Sequence, residues 1–216
     1  MNVLITGASR GIGRACALRF LDAGCRVVGI DKLPGSIEHE AYRHIVYDLR
    51  SDAPLPEAGE VHILVNNAGV QDEGDDIEVN LKALMRVTEH YGVQEHIRSI
   101  CSVASASAHN GAEFPAYAAS KGGVLAYTKN VAMRVAQWGA TCNSISPGGV
   151  LTELNRHVID DPALWAEIME ETPLKKWASA EEIAEWIYFL TAVNRSMTAQ
   201  DVLVDNGEMA KFHFVW

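Results

Sequence analysis

Val3-Leu4-Ile5-Thr6-Gly7-Ala8-Ser9-Arg10-Gly11-Ile12-Gly13 is the stretch that decides the fold. Its first half is a short apolar run, a buried strand by composition. The second half places glycines at 7, 11 and 13. Glycine lets a backbone approach a ligand closely, and a following helix offers free N–H groups at its amino terminus. From Gly11 to Ala23 the apolar residues Ile12, Ala15, Cys16, Phe20 and Leu21 recur at helical spacing, and Gly24 stops the helix. Arg26 to Ile30 reads as a second strand, ending at Asp31. Strand, glycine-rich turn, helix, strand and acid in this order make a dinucleotide-binding βαβ unit. Asp31 lies 18 residues beyond Gly13, where a carboxylate can accept hydrogen bonds from an adenosine ribose and repel a 2′-phosphate. It argues for NAD over NADP. Arg10 and Lys32 argue the other way, since either could meet that phosphate.

The same alternation continues downstream. Further strands are expected at His44–Tyr47, Val61–Val65, Ile97–Ser102, Thr141–Ile145 and Val202–Val204. A helical stripe runs through Ile77, Leu81, Leu84, Met85, Thr88 and Tyr91, behind an acidic start at Glu73 to Asp76. A second helix is expected from about Ala116 to Gln137, a short one from Pro162 to Glu170, and one capped by Ser179 to about Ala192. Ser51 to Gly59 carries two prolines and reads as a loop. These elements predict an α/β chain of one domain, residues 1–216. The fold is a Rossmann-like, doubly wound parallel sheet in three αβα layers.

The chain has 216 residues, 48% of them hydrophobic and 21% charged, with a formal net charge of -10. That suits a globular protein with a substantial core. No Lys/Arg cluster appears, so nucleic acid is not an expected partner. The four cysteines form no C-x-x-C pair and no metal spacing. They read as small core residues in a reducing compartment, and no metal is expected. No apolar run is long enough to cross a bilayer and no leader is visible, so a cytoplasmic protein is expected.

Tyr117-Ala118-Ala119-Ser120-Lys121 carries the chemistry. A Tyr and a Lys four apart share one helix face, and an ammonium near a phenol lowers its pKa from the usual ~10. In isolation the spacing is also that of an exposed tyrosine beside a solvated lysine. Set in order with Thr6 to Gly13, Asp48-Leu49, Asn66-Asn67-Ala68-Gly69, Asn80, Ser102 and Pro147-Gly148, it resembles the short-chain dehydrogenase/reductase family of single-domain type.

The resemblance implies an oxidoreductase that transfers hydride between NAD(H) and a secondary alcohol or ketone. Tyr117 would be the general acid/base, Lys121 would lower its pKa and hydrogen-bond the nicotinamide ribose so that both residues also bind the cofactor, Ser102 would hold the substrate oxygen and Asn80 would position a water. Ser105 is a rival for the serine role. Gly7, Ser9, Arg10, Gly11, Ile12 and Gly13 would cradle the cofactor, with Asp31, Asp48 and Leu49 at its adenosine end. Asn67, Ala68 and Gly69 would support its wall, and Pro147, Gly148, Val150 and Thr152 its nicotinamide end. Residues 151–172 would form a substrate lid containing Leu154, His157, Ile159, Trp165 and Met169, each as readily packing or surface. His109 and Phe114 would line the other wall.

The family resemblance also implies a homotetramer or homodimer, paired through the helix bearing Tyr117 along Ala118, Gly122 and Ala126. The apolar tail Lys211–Trp216 could dock on a neighbouring subunit. Two other functions fit a bound dinucleotide: a catalytically silent sensor or scaffold, and an epimerase or dehydratase that retains NAD. The chain departs from the family pattern in its short segments between Asp31 and Asn80 and in Asp205-Asn206-Gly207, where a second glycine is usual.

Overall fold

The computed structural model of the chain describes residues 1–112 and 114–211. The leading unit forms as read, with strand β1 (Asn2–Thr6), helix α1 (Gly11–Asp22) and strand β2 (Arg26–Asp31). Strands β3 (Tyr42–Val46), β4 (Ile63–Asn66), β5 (Ser99–Val103) and β6 (Thr141–Pro147) follow. A separate ladder pairs β7 (Val150–Leu151) with β8 (Ala178–Ser179), and β9 (Asp201–Val204) completes the main sheet. That sheet has seven strands in the order β3-β2-β1-β4-β5-β6-β9, every pair parallel. Strand order reverses between β1 and β4, which opens a crevice at the carboxyl ends of the strands.

Between β4 and β5 the chain is helical from 76 to 92, with α2 (Leu84–Val87) flanked by π-helical segments Glu78–Ala83 and Thr88–Gly92. Helices α3 (Ser107–Asn110) and α4 (Pro115–Val135) join β5 to β6. After β7 come α5 (Arg156–Ile159) and α6 (Pro162–Glu171), and after β8 comes α7 (Ala180–Tyr188). Ser179 and Glu182 cap α7 reciprocally: the Glu182 N–H donates to Ser179 Oγ (3.1 Å) and the Ser179 N–H to Glu182 Oε2 (2.9 Å).

Alternation along β1 sends Val3 and Ile5 to one face and Leu4 to the other. The first face packs on α1 and α7 through Phe20, Ile183 and Ile187, and the second on the 76–92 helix and α4 through Val87, Tyr91 and Val131. With both faces covered, the strands can be apolar throughout.

Several boundaries differ from expectation. β3 starts at Tyr42 rather than His44, because its extent is set by pairing with Val27–Asp31 and not by its own apolarity. Val61 and Ile97 are buried but precede the ladders of β4 and β5. The connections 32–41 and 47–62 contain no helix. In place of one, Leu55, Ala58 and Val61 pack into the α4-side core. Arg86 donates to the carbonyls of Ser51 (2.6 Å) and Leu49 (2.9 Å), and the Tyr91 hydroxyl donates to that of Pro56.

Ala118 is buried and Ala126 exposed, so Ala118, Gly122 and Ala126 do not form one bare face. All four cysteines are buried and unpaired. Among the described residues no helix is long and apolar enough to cross a membrane. The tail expected to dock on a neighbour lies, from residue 212 on, outside the described residues.

Candidate active site

The glycine turn leaves β1 with Gly7 at φ +70 and enters α1 with Gly11 at φ +53, a region that side chains with a Cβ rarely adopt. Gly13 is needed for closeness: a Cβ there would lie 2.0 Å from the Gly7 carbonyl oxygen. The turn is tied to the end of β4. Backbone N–H groups of Asn67 and Ala68 donate to Thr6 Oγ1 (3.0 and 3.1 Å), and Asn67 Nδ2 donates to the carbonyls of Thr6 and Gly7 (3.0 and 3.1 Å). Asp31 accepts the backbone N–H of Ser9 on Oδ2 (3.0 Å) and that of Leu33 on Oδ1 (2.9 Å).

This turn opens into a cleft of about 570 Å³. Gly7, Arg10, Gly11 and Ile12 line it, and so do Asp31, Asp48 and Leu49. Asn67, Ala68 and Gly69 form one wall, and Pro147, Gly148, Val150 and Thr152 the other. Ser9 and Gly13 lie behind this lining and shape it. The cradle is open where a Cβ would fill it, a helix amino terminus faces it, and its volume suits a dinucleotide. Arg50 donates to both carboxyl oxygens of Asp48 and pulls that carboxyl down to about 2.

At the far end stands Tyr117, on the first turn of α4 behind Pro115. Ser105 lines the cleft beside it and pulls the phenol's pKa down. Lys121 is 4% exposed, donates to the Val103 carbonyl (2.8 Å), and sits 5.7 Å from the Tyr117 ring centroid.

Two expectations are corrected here. Ser102 is not at the phenol: it is buried in β5, where its Oγ accepts from Asn66 Nδ2 (3.3 Å), and Ser105 lines the cleft in its place. Nor does Lys121 lower the phenol's pKa in this structure. Burial pushes Tyr117 up, Ser105 pulls it partly back, and the nearby Asp76 carboxylate adds to the rise. Burial also pulls Lys121 down to about 8, with Asp76 opposing.

Asn80 does not line the cleft, and its side chain is fully engaged. It accepts from the Val70 N–H (2.8 Å) and donates to the Val70 carbonyl (2.9 Å) and Ser120 Oγ (3.1 Å). A Cβ on Gly69 would lie 3.0 Å from Asn80 Oδ1 and 3.4 Å from Lys121 Nζ, so these groups meet behind the wall. Asn80 sits in a π-helical segment, a distortion common at functional sites.

The profile of the short chain dehydrogenases matches residues 1–163. The chain belongs to that family. As a short chain dehydrogenase it is an oxidoreductase that works between alcohols and ketones with a nicotinamide dinucleotide. It is 31% identical over 235 residues to the 3-oxoacyl-(acyl-carrier-protein) reductase FabG of Salmonella typhimurium, covering 95% of this chain and 96% of that one. A solved 4-hydroxyisoleucine dehydrogenase mutant, complexed with NADH and succinate, superposes with TM-score 0.88 at 26% identity, over 99% of this chain and all 100% of that chain. A putative 2-deoxy-D-gluconate 3-dehydrogenase from Agrobacterium tumefaciens with bound NADP gives 0.84 at 27% identity, over 97% and 96%.

The cleft of this dehydrogenase also holds residues that the sequence did not single out. Trp177 and Glu208 line it, beside the expected Leu154 and Phe114. Trp165 packs edge-on against Trp177 with centroids 5.1 Å apart. His109 does not reach the cleft: its Nε2 is 2.9 Å from Asp201 Oδ2 and 3.2 Å from Ser146 Oγ. The signal for Glu208 was the Asp205-Asn206-Gly207 turn just before it, which departed from the family pattern.

Proposed function

We propose that the enzyme interconverts a small ketone and a secondary alcohol, with Tyr117 as the group that gives and takes the proton. One observation carries the reading: Tyr117, Ser105 and buried Lys121 line one cleft together, with the Lys121 ammonium 5.7 Å from the Tyr117 ring centroid. Tyr117 and Ser105 hold the substrate oxygen between them. Tyr117 donates its proton to that oxygen in reduction and accepts it in oxidation. Ser105 shares the charge that develops there. Burial favours the neutral phenol, so Tyr117 waits as a donor at neutral pH. Asn80 positions the Lys121-bearing helix through Ser120. When bound, the nicotinamide dinucleotide supplies or accepts hydride at the substrate carbon.

We read NAD as the preferred cofactor. Each Asp31 oxygen accepts one backbone N–H, which leaves lone pairs for ribose hydroxyls and a like charge against a 2′-phosphate. Arg50, a cation at that end, is already held by Asp48 and by Asp75 (3.1 Å). The substrate is a small neutral or weakly polar molecule, taken under a lid formed by residues 151–172. The enzyme acts as one domain, in the cytoplasm, as a homodimer or homotetramer. Its buried free thiols suit a reducing compartment.

The test is a panel of ketones and secondary alcohols followed at the NADH absorbance with both cofactors. Tyr117→Phe should lose about 10²–10⁴-fold in turnover while NADH affinity stays within a few-fold. Full activity in the Phe variant would sink the mechanism. Wild type should favour NADH over NADPH about tenfold or more in kcat/KM, and a strong NADPH preference would overturn the cofactor reading.

A further inference from the structure

Glu208 stands on a turn built to present it. Asp205 is 8% exposed; its Oδ1 accepts the Gly207 N–H (3.0 Å) and its Oδ2 the Met209 N–H (2.8 Å). Asn206 takes a left-handed backbone (φ 56), which asparagine tolerates better than most residues. The turn sets Glu208 into the cleft wall beside Gly148, where a Cβ would lie 3.1 Å from Glu208 Oε2. Oε1 accepts from the Thr172 hydroxyl (2.9 Å), and Thr172 is wholly buried. The Trp177 indole N–H lies close enough to favour the charged carboxylate, yet makes no hydrogen bond of good geometry. Burial pushes the carboxyl the other way, up.

No cation answers this carboxylate among the described residues. The basic side chains lining the cleft are Arg10, Lys32, Arg50 and Lys121. Arg10 is on the glycine turn, Lys32 follows Asp31, and Arg50 is on Asp48, all at the adenosine end. Lys121 is bonded to the Val103 carbonyl. A half-buried carboxylate without a counter-charge is costly to desolvate further, and a ligand that brings a donor relieves that cost. A ligand that brings a second carboxylate adds repulsion.

We propose that Glu208 is the specificity residue of this enzyme, taking a hydrogen-bond donor on the substrate, a cationic amine ahead of a hydroxyl, and turning carboxylates away. The proposal rests on the catalytic reading above, since it places the substrate in the same cleft. It replaces the neutral ketone of that reading with one that bears a cationic amine, or second to that a hydroxyl, remote from the reacting carbon.

The experiment uses short ketones on one carbon skeleton, ending in an amine, a hydroxyl or a carboxylate. Turnover is followed for wild type, Glu208→Gln, Glu208→Asp and Tyr117→Phe. In parallel, calorimetry measures binding of the three matching non-reducible analogues to the NADH-saturated enzyme. In wild type, amine should exceed carboxylate by about tenfold or more in both kcat/KM and affinity, with the hydroxyl between. Glu208→Gln should shrink that spread to about threefold or less, with NADH affinity unchanged. Glu208→Asp should keep the order at lower affinity, which a residue that only buttresses Thr172 would not do. A flat or reversed ranking in wild type, binding by none of the three, or a ranking that survives Glu208→Gln overturns the proposal. If Tyr117→Phe keeps its turnover, the catalytic reading fails, and the binding series still decides on Glu208.

Discussion

Lys121 is buried with its ammonium on a single carbonyl, and burial pulls its pKa down to about 8. In the unfolded chain a lysine titrates near ~10.4. Between those two values the unfolded state binds more protons, so this residue makes stability rise as pH climbs from about 8 to about 10.4, with the full benefit above that window. Lys121→Met should remove the rise, seen as a loss of pH slope in urea unfolding relative to wild type. An unchanged slope would mean the ammonium is better solvated than its burial implies. The two serines separate in the same way. Ser105→Ala should cost about 10²-fold in kcat. Ser102→Ala should leave kcat within a few-fold and cost about 1 kcal/mol of stability, since Asn66 Nδ2 keeps its bond to Thr88 Oγ1 (2.9 Å). Equal losses of kcat from both would return Ser102 to the site. The pairing of Tyr117 with Lys121 was legible because helix spacing is local. The serine was not, because the strand runs one residue past Ser102, to Val103, and side chains alternate faces along it. The direction of the phenol's shift was not legible either, since it depends on burial and on Asp76, 41 positions away in sequence.

Among the elements, the connection 47–62 tests how a parallel sheet closes without a helix over one of its crossovers. Its backbone needs partners that a helix would have supplied internally. Arg86, on α2, supplies two N–H donors to the Leu49 and Ser51 carbonyls, and Leu49 lines the cleft. Arg86→Ala should therefore cost about 1–3 kcal/mol in urea unfolding and weaken NADH binding several-fold. A variant that loses stability with no change in NADH affinity would show that the connection and the cleft are independent. The βαβ unit and the strand–helix order were legible because each element carries its own periodicity and stop signal. The shortness of 51–59 was legible as a missing helix. The true span of β3 was not, because an edge strand with half-exposed residues takes its limits from its neighbour. The π-helical segment around Asn80 left no mark in the sequence, since its apolar stripe reads as an ordinary helix.

At the scale of the whole molecule, the outer surface of α7 is the feature the fold does not account for. The helix buries Ile183, Ala184 and Ile187 against the sheet, which fills its inner face. Trp186, Phe189 and Val193 continue at helical spacing on the other side and are 44%, 45% and 52% exposed. Trp186 and Phe189 meet edge to face, 6.3 Å apart, so they form one aromatic ridge. Large aromatics can bury roughly 150–250 Å² each, and a ridge of two is a strong anchor for a self-complementary contact. The site helix α4 offers less: Met133 is 63% exposed, but Arg134 and Tyr127 beside it are bonded to Glu89 on the neighbouring helix. If copies of the chain associate, the α7 ridge is the first place to look. Trp186→Glu with Phe189→Glu should reduce the assembly by one step, seen as a halving of mass in sedimentation velocity. The melting temperature should change little, because neither side chain is in the core. The Met133→Glu variant should leave that mass unchanged. A double variant with the wild-type mass, or a wild type that is monomeric at micromolar concentration, would leave the ridge without that role.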